Sequence, residues 1–323
     1  MKNIFYTFIL FLVSVASAYS QDYTKVDAVV RAYPNSFASV DKFAERINKD
    51  FTSNEEKARA LFTWMAINIK YDVVAYREGV KPKPYTYRTQ EEKEAIQKRL
   101  KEELAEKTLK TKKGVCQGYA TLYSEVGAKT GLEVVLIPGT TKAYPTDIGK
   151  EQGSDKHLWN AVKINGKWKL VDVTWGAGTV SGNPIKFEFN FNDKYFFSDP
   201  EMFFLNRFPE DKQWLLTDKT EKDFADLPLY YGNCFMEGYE FVSPTLGIFT
   251  NKKSDVITFA VKNLKPGDRI VYAFSKTKAF KEVQPVTEGD VSKFEVELGD
   301  NSSGYLTIFI NQKSIVAYKI NRA

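Results

Sequence analysis

The sequence has 323 residues, with 46 Lys and Arg against 41 Asp and Glu, two cysteines and a single histidine. A zinc site takes about three or four His, Cys or carboxylate ligands at short spacing. One His and two distant Cys do not supply it, and the same count excludes C-x-x-C redox motifs, haem attachment and multi-disulfide scaffolds, so no metal or cofactor is expected. A hydrophobic content of 43% and an aromatic content of 15% can fill a core, while the net charge of +5 is interspersed, without the basic stripe of a nucleic-acid binder.

A chain of this length is expected to form about two domains. Residues 1–20 read as a signal peptide: Lys2, an apolar run from Ile4 to Val15, then Ala16-Ser17-Ala18, with cleavage after Ala18 or Ser20. The run is short for a membrane span, although a retained N-terminal anchor is the other reading. No later stretch is apolar enough to span a membrane, so the mature chain is expected to be secreted or periplasmic. Two helices then open the mature chain. Ser39 caps one through Lys49, with Val40, Phe43 and Ile47 on one face. Ser53 and Glu56 form a capping box for the next, which carries Ala58, Leu61, Met65 and Ile69 at helical spacing beside Trp64.

Arg77 to Pro84 is basic and proline-containing. Glu91 to Lys110 is strongly charged and reads as a solvated surface helix. A helix from Gln117 to Lys129, closed by Gly131, leads to a strand at Glu133–Pro138 and a loop over 139–155. Two strands then meet at Asn165-Gly166, a strong hairpin signal. After an aromatic stretch to Cys234, five short segments read as strands: Val256–Val261, Arg269–Ser275, Lys293–Leu298, Tyr305–Ile310 and Ser314–Ile320. They predict a C-terminal β-sandwich of immunoglobulin-like type over residues 236–323.

Three segments carry potential chemistry. In Gly114-Val115-Cys116-Gln117-Gly118-Tyr119-Ala120, Cys116 stands where a helix begins. The unpaired N–H groups and the positive dipole end there favour the thiolate, which is the nucleophile, and can stabilise an oxyanion. The other two segments, His157–Val162 and Trp168–Trp175, flank the hairpin. If Ile164 pairs with Lys167, opposed residue numbers sum to 331, so His157 faces Thr174 and Trp159 faces Asp172. His157 and Asp172 then share a face as diagonal neighbours. A carboxylate there can fix the imidazole tautomer and leave the other nitrogen for Cys116. Trp159 and Trp175 are candidates to line a substrate cleft, with buried core as the alternative.

These motifs, with Glu55–Ala60, Ile69–Asp72, Tyr195–Pro200 and Phe208–Asp211, resemble the transglutaminase-like superfamily of papain-like cysteine enzymes, closest to its kyphoscoliosis-peptidase-like branch. The likeness covers roughly residues 35–220. It implies an α+β fold with a papain/transglutaminase-like core over residues 21–235, in which a helix-start Cys packs on an antiparallel sheet. It also implies Cys116 as nucleophile, His157 as general base and acid, and Asp172 as orienting carboxylate. Two cysteines of an exported protein would ordinarily pair; with Cys116 in its motif, Cys234 is expected as a buried apolar thiol. The function expected is amide-bond acyl transfer on a peptide, protein or peptidoglycan substrate, hydrolysis ahead of cross-linking. The alternative is a catalytically silent scaffold that binds a protein or cell-wall partner.

Overall fold

The computed structural model describes residues 22–79, 84–250, 256–277, 279–300 and 302–321; the expected signal peptide and its cleavage sites lie outside them. The first described helix, α1 (Thr24–Arg31), was not expected from sequence. It is eight residues long, lacks a side-chain cap and buries only Val26 and Val30, so its pattern is too short to read as a period. Tertiary contacts hold it instead. Asp27 accepts from Arg59 Nε and Nη2 at 2.9 and 2.7 Å and from Thr63 at 2.7 Å.

Helix α2 (Val40–Asp50) is capped by Ser39, and α3 (Asn54–Asn68) by Ser53, whose hydroxyls accept from Lys42 N and Glu56 N. The second half of the expected capping box takes another form: Glu56 reaches the Ser53 hydroxyl at 2.8 Å. Helix α3 is buried around its circumference, Trp64 included. Strand β1 (Lys70–Tyr71) and helix α4 (Val73–Glu78) follow. The charged helix α5 (Gln90–Thr111) is solvated along most of its length and buries only Ala105, Thr108 and Leu109 near its end. Strand β2 (Lys113–Gly114) then pairs in parallel with β1, and α6 (Cys116–Lys129) begins.

The central sheet contains β3 (Val134–Thr141), β4 (Asp155–Ile164) and β5 (Lys167–Val171). Its β4–β5 ladder starts at Ile164–Lys167 and runs in the expected register to Asn160–Val171. Asn165 and Gly166 both have positive φ, as a tight two-residue hairpin turn requires. Beyond Val171 the expected pairing stops. Asp172 leaves the ladder to cap α7 (Val173–Ala177), and His157 pairs with Gly139 of β3. Trp159–Asp172 and His157–Thr174 are therefore not ladder partners, because the Asp172 carboxylate accepts the Trp175 N–H and turns the chain into a helix.

The hairpin of β6 (Gly178–Ser181) and β7 (Lys186–Phe189) follows, then β8 (Phe196–Ser198), α8 (Pro200–Phe204) and β9 (Arg207–Pro209). The central order is β8-β5-β4-β3-β9. Short helices α9 (Glu221–Asp226) and α10 (Gly232–Glu237) lead to two further sheets. One runs in the order 229–230, 313–321, 304–310, 270–274, 280–283, with Ile248–Thr250 lying parallel to 313–321. The other orders 240–243, 256–262, 291–297 and 286–288. They face one another across Phe259 and Tyr318, whose ring centroids are 5.3 Å apart. The alternating burial of Ser292, Phe294 and Val296 is the inward face of such a sheet. The expected 256–261, 269–275, 293–298, 305–310 and 314–320 segments all contribute strands. Among the described residues no helix is long and apolar enough to cross a membrane.

The segment after β3, expected as loop over 139–155, is extended to Thr141 and then wraps round two buried charges. Lys142 Nζ donates to the carbonyls of Phe224 and Leu227 at 2.5 and 2.8 Å, tying the loop to the end of α9. Asp147 accepts from the N–H groups of Ala143, Tyr144 and Ser154. Burial lowers the Lys142 pKa to about 7, against the opposing pull of Asp147 and Asp226. An unfolded lysine keeps its proton to about pH 10, so above pH 7 the unfolded chain binds the extra proton and stability rises with pH. The stability of the native protein relative to Lys142→Met should therefore increase from about pH 7 to about pH 10 in chemical denaturation. Parallel pH profiles for the two proteins would contradict this.

Candidate active site

Cys116 opens α6, behind Val115, an N-cap residue that makes no side-chain capping bond. The N–H groups of the first turn are thereby left without a capping acceptor. The helix start is pressed against the end of α5: a Cβ on Gly118 would lie 2.8 Å from Thr108 Oγ1, and one on Gly114 3.3 Å from Thr108 Cγ2. A Cβ at Gly118 would force Thr108 to shift, and one at Gly114 would crowd it. Asn160 on β4 donates to Ala120 O at 3.1 Å and Val135 O at 3.3 Å, fastening α6 across the sheet.

His157, Cys116 and Asp172 meet at this junction. The His157 Nε2–Asp172 Oδ2 distance is 2.7 Å, which leaves Nδ1 free of Asp172, and the imidazole is close enough to the Cys116 side chain for the two to influence each other electrostatically. His157 and Asp172 are buried, whereas Cys116 is part-exposed. Asp172 Oδ1 accepts the Trp175 N–H at 3.1 Å, so one carboxylate both caps α7 and holds the imidazole.

A fourth residue, which the sequence reading did not single out, completes the cluster. Arg207 on β9 donates to Asp172 Oδ2 through Nε at 2.9 Å and Nη2 at 2.6 Å, with its side chain fully buried. Its guanidinium lies 4.3 to 4.6 Å from the ring centroids of Trp175, Phe203 and Tyr195. The only sequence signal is an arginine immediately before the Phe208-Pro209 motif, in a segment that reads as aromatic core.

The two tryptophans have different positions. Trp159 is 1% exposed and correspondingly does not line a cleft. It stacks beside the His157 ring at 5.9 Å and covers Gly139, whose missing Cβ would lie 2.3 Å from the indole. Its neighbours on β3 and Phe203 close over it, which fixes it as support for the imidazole. Trp175 is part-exposed, 6.1 Å from the His157 ring, and remains at the edge of the site. Cys234 is free and buried on α10, its thiol donating to Tyr239 O at 3.3 Å; burial pushes its pKa up to about 12.

Burial opposes charge on both His157 and Asp172, and their mutual attraction prevails. Burial would lower the His157 pKa, but the charge and hydrogen bond of Asp172, with a contribution from Cys116, raise it to about 9. Burial would likewise raise Asp172, but His157 and Arg207 hold it well below the usual carboxylate range. Around neutral pH the imidazole is thus a cation lying beside the Cys116 sulfur, where it attracts negative charge.

Two outcomes follow from this geometry. Asp172→Asn leaves Arg207 buried without its carboxylate, which should cost about 3–5 kcal/mol in urea denaturation at pH 6. The native advantage over that variant should shrink as pH falls below about 4, since the unfolded carboxyl then takes up a proton that the folded one resists. A smaller part should disappear as pH rises through about 9, where the imidazolium discharges. Separately, iodoacetamide should label Cys116 in the native protein and reach Cys234 only after denaturation, as peptide mass mapping would read. Labelling of Cys116 should slow in His157→Ala.

Residues 41–173 match the family model described as the Transglutaminase-like superfamily. Kyphoscoliosis peptidase of Mus musculus is 33% identical over 165 residues, which cover 51% of this chain and 22% of that protein. The Homo sapiens protein of the same name is 28% identical over 197 residues, 61% and 27% of the two chains. Lim and transglutaminase domain protein ltd-1 of Caenorhabditis elegans is 26% identical over 234 residues, 62% and 32%. The match spans about a quarter of the length of these curated relatives. The segment that holds Cys116, His157 and Asp172 is therefore a domain of the transglutaminase-like superfamily.

Proposed function

We propose that this chain is an exported cysteine-dependent enzyme that hydrolyses amide bonds of peptides or proteins. The observation that carries this reading is the alignment of Cys116 at a helix start with an imidazole whose far nitrogen is held by a buried carboxylate. In this reading the Cys116 sulfur adds to the substrate carbonyl carbon. Negative charge moves to the oxygen, opposite the N–H groups at the start of α6. The His157 imidazolium gives its proton to the leaving nitrogen as the C–N bond breaks, which leaves a thioester and a free amine. Water then adds to the thioester while His157 takes its proton. Collapse of that second adduct breaks the C–S bond, frees the carboxylic acid and restores the enzyme.

Release by water is favoured over release by a second amine because Cys116 is part-exposed, and amine transfer needs a site that keeps water out. Export rests on the leader pattern of residues 1–20. The test is incubation of the protein with a panel of peptides, peptidoglycan stem peptides among them, with and without a primary amine, followed by mass spectrometry. Products that have gained water, and that are absent with Cys116→Ala, are expected. Amine adducts in their place would turn the reading to cross-linking. Spectra identical for both proteins would overturn the enzymatic reading and favour a binding scaffold.

A further inference from the structure

The parallel pairing of β1 with β2 sets Tyr71 beside Gly114, two residues before Cys116, close enough for its hydroxyl to respond to the charges of Cys116 and Asp155. From Tyr71 a row of rings extends in two directions. Phe187 lies at 6.4 Å and Phe189 a further 5.0 Å on; Tyr76 lies at 5.9 Å, and its hydroxyl is 3.2 Å from that of Tyr144. Tyr76, Tyr144 and Phe189 are each more than a third exposed. Tyr71 and the buried Phe187 anchor these exposed rings near the nucleophile, and aromatic surface left facing solvent there marks a place that meets another molecule.

Asp155 lies at the Tyr76–Tyr144 end of this row. It is two residues before His157 on β4, so the two side chains share a face of the strand. The other inward carboxylates of this region are well satisfied: Asp147 by three N–H groups and Lys150, Asp172 by His157, Arg207 and Trp175. Asp155 is part-buried, yet it accepts only the Tyr76 hydroxyl at 3.4 Å and forms no ion pair among the described residues. Burial, reinforced by Asp147, pushes its carboxyl above the usual range, opposed by His157 and the Tyr76 hydrogen bond. The frame round it is firm, because Asp147 ties down the N–H groups of both Tyr144 and Ser154.

We propose that Asp155, Tyr76 and Tyr144 form a subsite for a cationic side chain, Lys or Arg, of the polypeptide substrate. This deepens the cysteine-enzyme reading of the preceding subsection and rests on it. An ammonium or guanidinium there meets two phenol hydroxyls, which can accept its hydrogen bonds, and a carboxylate without an ion-pair partner among the described residues, a combination that attracts positive charge. The exposed Phe189 then offers apolar surface to the same segment. An uncharged side chain of equal length gains the ring contacts and leaves Asp155 as it was, so charge is what the subsite selects.

The test measures binding, so that it stands apart from turnover. Cys116→Ala protein is titrated with fluorescent, N-acetylated peptides of pooled random sequence whose central residue is Lys, Arg or norleucine. The Lys and Arg pools should bind roughly tenfold tighter than the norleucine pool. Asp155→Asn, made in the same background, should bring the three pools together, and Tyr144→Leu, at an exposed position, should narrow the gap. Equal binding of the three pools, including no binding by any of them, overturns the subsite, as does a preference for Lys and Arg that survives Asp155→Asn. A cationic preference without hydrolysis in the native enzyme would instead remove the hydrolytic reading and leave the subsite intact.

Discussion

The carboxylate of Asp172 is buried and charged, and a lone anion in that position would be prohibitively costly. Three elements are drawn together to compensate it: β4 brings His157, β9 brings Arg207, and α7 begins where it does so that the Trp175 N–H can reach the second oxygen. The central sheet, the short helix and the edge strand are thereby locked at one point. The same compensation makes His157 a stronger base than a free imidazole, so the constraint that orders the fold also sets the chemistry available beside Cys116.

Arg207 shows why such a cluster needs aromatic surroundings. A guanidinium is planar and weakly hydrated, so it can lie among the rings of Trp175, Tyr195 and Phe203 while its edge serves the carboxylate. A lysine at the same position would offer a point charge without that planar fit. The aromatic richness of the stretch from Trp175 to Phe208 is accordingly the enclosure of a charge as well as core.

On the nucleophile side, close packing does the corresponding work. Gly114 and Gly118 let the end of α5 approach the start of α6, and Asn160 ties that helix to the sheet, so the helix start that carries Cys116 is fixed by close packing. The charged length of α5 remains in solvent and only its final turn, with Thr108, touches this machinery. A surface helix by composition thus acts as a buttress through three buried residues.

Much of this was legible in the residues alone. The Ser39 and Ser53 caps, the helix start at Cys116, the Asn165-Gly166 turn and the register of the first five residue pairs after it all follow from local backbone chemistry acting over a few residues. The pairing arithmetic brought His157 near Asp172, although Asp172 arrives there by capping a helix that the alternation of a strand conceals. Arg207, the burial of Trp159 behind His157, and the meeting of Tyr76 and Tyr144 with Asp155 were not legible. Each joins residues some 35 to 80 positions apart, or depends on which face of a ring is covered, and no local period records that. The sequence by itself determined where α2, α3, α6 and the Asn165-Gly166 turn begin, and marked Cys116, His157 and Asp172 as the candidate site residues. Only the tertiary structure decided which charges are buried together and which carboxylate is left facing an open site, because burial is a property of the assembled elements.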